Sequence, residues 1–364
     1  MNRAALTKSL ATVGTTNGMK IVQKLPKRVV LLVVVGLIVA GVGAGIALAR
    51  GTAAAPIGTG VVVIDTKLAY QGGTAAGTGM VLTSSGEVLT NNHVISGATS
   101  IKVVVPKTGR TYTAKVVGYD KSADVALLQL QGASNLKTVS ASSTKPAVGA
   151  AVTALGNAGG NGTISSVAGT VTGLGKQITA SDDQGGSEML TGLIETNAGV
   201  KPGDSGGPLV NSKGHVVGMD TAASSGFGFQ NVSATDAYAI PIAKALKVAH
   251  AISSGNASAT VHIGATAFLG VEVQSVNAAG YGYGGASASG ALIAGVVPGG
   301  PAASAGLAVG DVITAINGHA ISSPSAISAL VLTKKPGAKI TVAYVDQSGA
   351  SHTASVTLGS GPAQ

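Results

Sequence analysis

Between Gly60 and Ile240 the apolar residues come in short runs separated by turn signals: VVVID, GMVLT, EVLTNNHVI, IKVVV, AKVVGYD, VALLQL, AVTALG, SVAGTVTGL, GLIETNA, PLVNSKGHVVGM and AYAIP. Short runs with regular turns predict many short strands in an all-β sandwich or barrel. At Ile242 the period changes. IAKALKVAHAI, Ile242 to Ile252, has helical apolar spacing and predicts a closing helix. SSGNASATVH, Ser253 to His262, is small and polar and reads as a flexible linker. From Ile263 to about Leu358 strand-like runs return as FLGVEV, ALIAGVV, DVITAING, KITVAYVD and SHTASVTL, the last two as a hairpin. PAASAGL predicts a short helix, and SSPSAISALVL has helix-start chemistry before an apolar run. The glycine-rich NAAGYGYGGASASG reads as a solvated loop.

One run is different in kind. Val29 to Ala49 holds 21 residues without a charge, and a spanning helix needs ~20. Arg3, Lys8, Lys20, Lys24, Lys27 and Arg28 precede it. Positive flanks stay cytoplasmic. The pattern predicts a single-pass anchor in the cell membrane, with the N-terminus cytoplasmic and the rest outside. The rival is a cleaved signal peptide, because Ala47 to Ala49 resembles a small-residue cleavage site. Against it, the run exceeds the ~7–15 residues of a signal core. Both readings export the remainder.

Composition narrows the rest. Glycine supplies 55 of 364 residues with no collagen period, which reads as many tight turns. Aromatics are 3% and Trp is absent, so the cores must be built from Val, Ile, Leu and Ala. The formal charge is +9, but seven of the 23 basic residues lie in the first 50 positions, where there is no acid. The body has no basic stripe with interleaved aromatics, which argues against a nucleic-acid partner. With no cysteine, disulfides, zinc-thiolate sites and a cysteine nucleophile are excluded.

The candidate chemistry centres on KPGDSGGPLV, Lys201 to Val210. A serine nucleophile needs a base, a group to orient that base, and donors for the oxyanion. Small residues around Ser205 would let backbone amides reach a substrate. His93, in VLTNNHVISGA, is the candidate base, at the end of a β-like run. The other five histidines, His215, His250, His262, His319 and His352, fit exposed or linker positions. Asp124 directly precedes the apolar VALLQL and is the candidate orienting acid, with Asp120 as a competitor in a turn-like context. Histidine, aspartate, serine is the chain order of chymotrypsin-type proteases, and other serine hydrolases use other orders.

TNNHVISGA, SADVALLQL and GDSGGPLVNSKGHVVGMDTA resemble the three motif blocks of HtrA/Deg-type trypsin-fold serine proteases. AFLGVEV, GVVPGGPAASAGLAVGDVITAINGHAI and KPGAKITVAYV resemble their C-terminal PDZ domain. The resemblance covers about residues 58–358. It implies a mainly β architecture with a basic cytoplasmic segment (1–28), a transmembrane helix (29–49) and a tether (50–57). A two-β-barrel trypsin-like protease domain (58–252), a linker (253–262) and a PDZ domain with two helices (263–360) follow.

The resemblance also implies roles. His93, Asp124 and Ser205 form the catalytic set, and the amides of Gly203 and Ser205 the oxyanion hole. Gly199, Asp220 and Thr221 flank the specificity pocket. Gly199 stands where trypsin-like pockets carry an acid, so small or medium aliphatic side chains are expected there. Phe268, Leu269, Gly270 and Val271 resemble the carboxylate-binding loop of a PDZ domain, with Ala326 to Leu332 as the groove's other wall. No cofactor or metal is implied. The expected partners are unfolded or misfolded exported proteins, peptide C-termini, and the membrane, with protease domains assembled as a trimer. Lys201 reads as plain surface charge. Many relatives have Asn before the serine where this chain has Asp204, which then needs a partner. A catalytically silent PDZ-bearing adaptor or holdase on the same fold is the alternative.

Overall fold

A computed structural model describes residues 57–70, 72–181, 187–223, 236–276 and 290–363. The basic segment, the apolar run 29–49, most of the tether and the GYGYGG stretch lie outside these residues. Among the described residues no helix is long and apolar enough to cross a membrane.

The predicted strands form two antiparallel barrels. The first uses β1 (Val61–Leu68), β2 (Gly73–Val81), β3 (Glu87–Thr90), β4 (Ser100–Val105), β5 (Arg110–Asp120) and β6 (Val125–Leu130), with a one-turn helix α1 (Asn92–Ile95) after β3. Its order is β5-β4-β1-β2-β3-β6, and β5 pairs with β6 to close it. Alternation drives the burial: on β4, Ile101 and Val103 face the core while Lys102 faces solvent.

The second barrel contains β7 (Ala151–Gly156), β8 (Ser165–Ser181), β9 (Ser187–Thr196), β10 (Pro208–Asn211), β11 (Val216–Ala223) and β12 (Ala237–Pro241), closed in the order β10-β11-β12-β9-β8-β7. The barrels share a core. Met80, Leu89 and Leu127 of the first pack in one cluster with Leu155, Met219 and Ile240 of the second. The predicted closing helix is α2 (Ile242–Ser253), and its Ile242, Ala245, Ala249 and Ile252 join that cluster at helical spacing.

The segment read as a flexible linker is held along its second half. Thr260 donates its hydroxyl to Asp120 Oδ2 at 2.9 Å. Strand β13 (Val261–Ile263) then pairs with β5 and occupies an otherwise open edge. Gly118 permits this close approach, since a Cβ there would meet the His262 carbonyl at 2.4 Å. Polar composition alone hid the pairing, because Val261 is the buried residue that fixes it.

The C-terminal unit has β14 (Thr266–Phe268), β15 (Val271–Ser275), β16 (Ala291–Val296), α3 (Pro301–Ser304), β17 (Val312–Ile316), β18 (His319–Ala320), α4 (Pro324–Leu332), β19 (Lys339–Val345), β20 (Ser351–Thr357) and β21 (Gly359–Gly361). The sheet order is β15-β16-β17-β19-β20, with β18 beside β17, and β14 pairs separately with β21. Ile293, Ile313, Ile340 and Val356 form its core with Ile327 and Val331 of α4. Beyond β21 the chain returns to the first barrel. Ala363 accepts the Gly97 N–H at 2.8 Å and buries its side chain in the core built on Val62 and Ile101. Tyr70 of the first barrel also stacks on Phe268, with ring centroids 5.1 Å apart.

Candidate active site

Asp124 closes the turn between β5 and β6 with φ 52, a left-handed backbone that is uncommon outside glycine. Asp120 builds this turn. Its Oδ1 accepts the Ala123 N–H at 3.1 Å and the Ser122 hydroxyl at 2.7 Å, so the competing carboxylate is a turn cap. The Asp124 side chain instead faces α1. Its Oδ1 accepts the His93 backbone N–H at 3.0 Å, and its Oδ1 and Oδ2 lie 3.1 and 2.9 Å from His93 Nδ1. Thr221 on β11 donates its hydroxyl to Asp124 Oδ2. Asn91 pins the Asp124 carbonyl at 2.9 Å. An imidazole whose Nδ1–H donates a hydrogen bond to a carboxylate presents Nε2 as a base. Among the other histidines, His352 pairs with Asp346 at 2.6 Å in the C-terminal unit. Hydrogen bonds from Ser348 and His352 hold the Asp346 carboxyl below the usual range.

Ser205 lies in the loop between β9 and β10 and is 5% exposed. Its hydroxyl donates to the Thr221 carbonyl at 3.4 Å, so Thr221 touches both the acid and the serine. Thr78 of β2 fastens the loop across the barrel interface. Its N–H donates to the Ser205 carbonyl at 2.9 Å and its hydroxyl to the Gly203 carbonyl at 2.7 Å. The same hydroxyl accepts the Asn157 N–H at 2.9 Å. Gly206 has φ +85, and a Cβ there would lie 2.1 Å from the Thr78 carbonyl. Only glycine fits.

The loop's amides separate into two groups. The Gly206 and Gly207 N–H groups donate to Asp220 and Asp204 carbonyls, each at 2.8 Å. Among the described residues no acceptor takes the Gly203 or Ser205 N–H. The Pro202 carbonyl accepts the Gly159 N–H at 2.8 Å. Among the described residues all peptides are trans, so the Gly203 N–H points the opposite way from that carbonyl. Two free donors flank the serine, an arrangement suited to an oxyanion.

The remaining predicted residues divide. A Cβ on Gly199 would meet nothing within 4 Å, so that position opens onto free space. Asp220 is fully buried, and Thr221 is committed to Asp124 and Ser205. Asp204 has a partner in the Lys201 N–H, which donates to its Oδ2 at 2.9 Å. Beside Gly203 a cleft of about 690 Å³ runs along Gly160 to Asp65, Lys67 and Ala76. In the C-terminal unit Phe268, Leu269, Gly270 and Val271 line one groove with Ile327 and Val331 of α4, and Leu269 is also buried in the core. Sequence reasoning missed Thr78, Asn91 and Asn157. Threonine in a strand and asparagine in a turn are ordinary, and no local pattern marks their partners, which lie far along the chain.

A trypsin-like peptidase domain profile matches residues 77–219 and a PDZ domain profile matches residues 292–345. Serine protease PepD of Mycobacterium tuberculosis is 35% identical over 322 residues, covering 84% of this chain and 65% of that protein. A probable periplasmic serine protease do/HhoA-like of Haemophilus influenzae is 38% identical over 285 residues, covering 78% and 58%. Periplasmic serine endoprotease DegP of Escherichia coli is 36% identical over 271 residues, covering 74% and 54%. The chain thus spans less than two thirds of the length of each of these relatives. With a peptidase domain followed by a PDZ domain, and likeness to DegP-type proteins running through both, the chain belongs to the HtrA family of trypsin-fold serine proteases.

Proposed function

We propose that the chain is a serine endopeptidase working through an acyl-enzyme. The observation that carries this reading is the two-oxygen contact of Asp124 with His93 Nδ1, beside a serine whose loop offers two unclaimed amides. Ser205 Oγ attacks the peptide carbonyl carbon while His93 Nε2 takes the hydroxyl proton. The same nitrogen returns the proton to the leaving amine, then activates the water that opens the acyl ester. Asp124 keeps the imidazole oriented and stabilises its charged form. The Gly203 and Ser205 N–H groups receive the oxyanion, where one donor contributes ~3 kcal/mol.

The open space at Gly199 supports a pocket without a counter-ion for basic residues, so small or medium aliphatic side chains are preferred. The groove at Phe268 to Val271 takes peptide C-termini as an added strand. The run Val29 to Ala49 anchors the chain, and the two barrels act outside the cytoplasm on exported, misfolded proteins. Two relatives are named as periplasmic, which supports the compartment.

The test is labelling by a fluorophosphonate and cleavage of unfolded casein, with a C-terminal peptide in the groove and Ser205→Ala as the control. Folded parent protein that neither labels nor cleaves would leave the silent adaptor as the reading. For the anchor, membrane-fraction protein whose N-terminus begins at Arg50 would mean a cleaved signal instead.

A further inference from the structure

Two further carboxyls lie against the Ser205 loop, and the proposed chemistry does not use them. Asp220 is 0% exposed and neither of its oxygens has a hydrogen-bond partner. Asp204 is 5% exposed; its Oδ2 takes the Lys201 N–H while its Oδ1 has no partner. Backbone bonds tie both residues to the nucleophile. Gly206 donates to the Asp220 carbonyl, Asp220 to Gly207, and Gly207 to Asp204, each at 2.8 Å. The next residue, Thr221, carries the bond to Asp124, and the Asp220 oxygens take no part in it. Burial, then the charge of Asp204, pushes Asp220 well above the ordinary carboxylate range. Burial also raises Asp204, against the Lys201 N–H and its charge, which lower it.

Three buried carboxyl oxygens without donors are costly, and two ionised carboxyls within range of each other's charge more so. One proton removes the repulsion and pairs two of the three oxygens, because a protonated carboxyl is a donor. We propose that Asp220 and Asp204 share one proton, with Asp220 donating to Asp204 Oδ1, and that this pair positions the Ser205 loop so that the Gly203 and Ser205 amides stay free. Lys201 is the charged side chain acting on the pair from its own loop. The neighbouring strands present residues that do not titrate: Gly156 of β7 against Asp204, and Ala239 of β12 opposite Asp220.

The sign follows from linkage. The native pair keeps a proton that the unfolded chain has released, so stability falls as pH rises from about 4 to the pair's own titration, and is flat above it. Activity falls on the same alkaline side, when both carboxyls ionise and the loop is pushed out.

The inference rests on Ser205 being the nucleophile, so two readouts are taken on the full chain. Fluorophosphonate labelling rate and melting temperature are followed from pH 5 to 10 for the parent, Asp220→Asn, Asp204→Asn and Asp220→Leu. Asn at 220 donates without titrating. It is expected to label about tenfold faster than Asp220→Leu at pH 7, a difference of ~1.4 kcal/mol, and to lose the alkaline fall seen in the parent. Asp204→Asn is expected to lose that fall too, and it serves if Asp220→Asn does not fold. A folded Asn variant that keeps the parent's alkaline fall, or that labels no faster than Asp220→Leu, overturns the shared proton. A parent that labels at no pH sinks the protease reading instead. The melting series then still decides the pair, which is lost if parent and Asn variants share one stability slope between pH 5 and 10.

Discussion

Ser205 has a carboxyl arrangement on each of two sides, and they differ in how their oxygens are treated. On one side Asp124 meets the His93 N–H, the His93 ring and the Thr221 hydroxyl. On the other, Asp204 and Asp220 bring four oxygens to a single backbone donor, the Lys201 N–H. The first side is assembled across the barrel interface, with His93 and Asp124 from one barrel and Thr221 from the other. The second lies wholly within the second barrel. A buried carboxylate is kept by its donors, and a carboxyl without donors keeps a proton. In the proposed reading the same residue type orients a base on one side and clamps a loop on the other.

The comparison can be broken at several points. Ser205→Ala removes the group both sides serve; casein turnover should fall by about 10⁴-fold or more, with circular dichroism and melting unchanged. Asp124→Asn disturbs only the donor-rich side, because an amide cannot hold the same imidazole tautomer. A loss of ~10⁴ in kcat is expected, while the alkaline fall assigned to the Asp204–Asp220 pair should persist. Thr78→Val frees the Gly203 carbonyl from its hydroxyl partner. One hydrogen bond of ~1–1.5 kcal/mol corresponds to about tenfold in kcat, with KM less affected, and an unchanged kcat would remove Thr78 from loop positioning. The smallest effect on the site itself is expected far from the serine. Ala363→Ser places a hydroxyl in the apolar core around Val62 and Ile101 and should cost ~1–3 kcal/mol in a denaturant melt, with the label still reaching Ser205.

Much of this was legible in the chain. Asp124 was separable from Asp120 because an apolar strand begins at the next residue, which draws that turn position inward. His93 and Ser205 were weak signals singly and gained weight from their order with Asp124 within one β-rich unit; the strand runs predicted a sandwich or barrel, and the division into two barrels came only from the family resemblance. Thr78 was not legible, because its significance is a contact with residues some 125 positions away. The second half of the linker was misread for a similar reason. Its small polar residues look free until β5 offers an edge and Asp120 offers an acceptor. Asp204 and Asp220 were each visible alone, but only the register of β11 against the nucleophile loop brings them together.

Ala363 also has a consequence in time. The first barrel's strands end at Leu130, yet its core includes a residue 233 positions later. At ~5–20 residues per second, roughly ten to fifty seconds of synthesis separate the two. For that interval the seat beside Gly97 at the end of α1 is unfilled, so the helix carrying His93 acquires its last neighbour only after the whole C-terminal unit has been made.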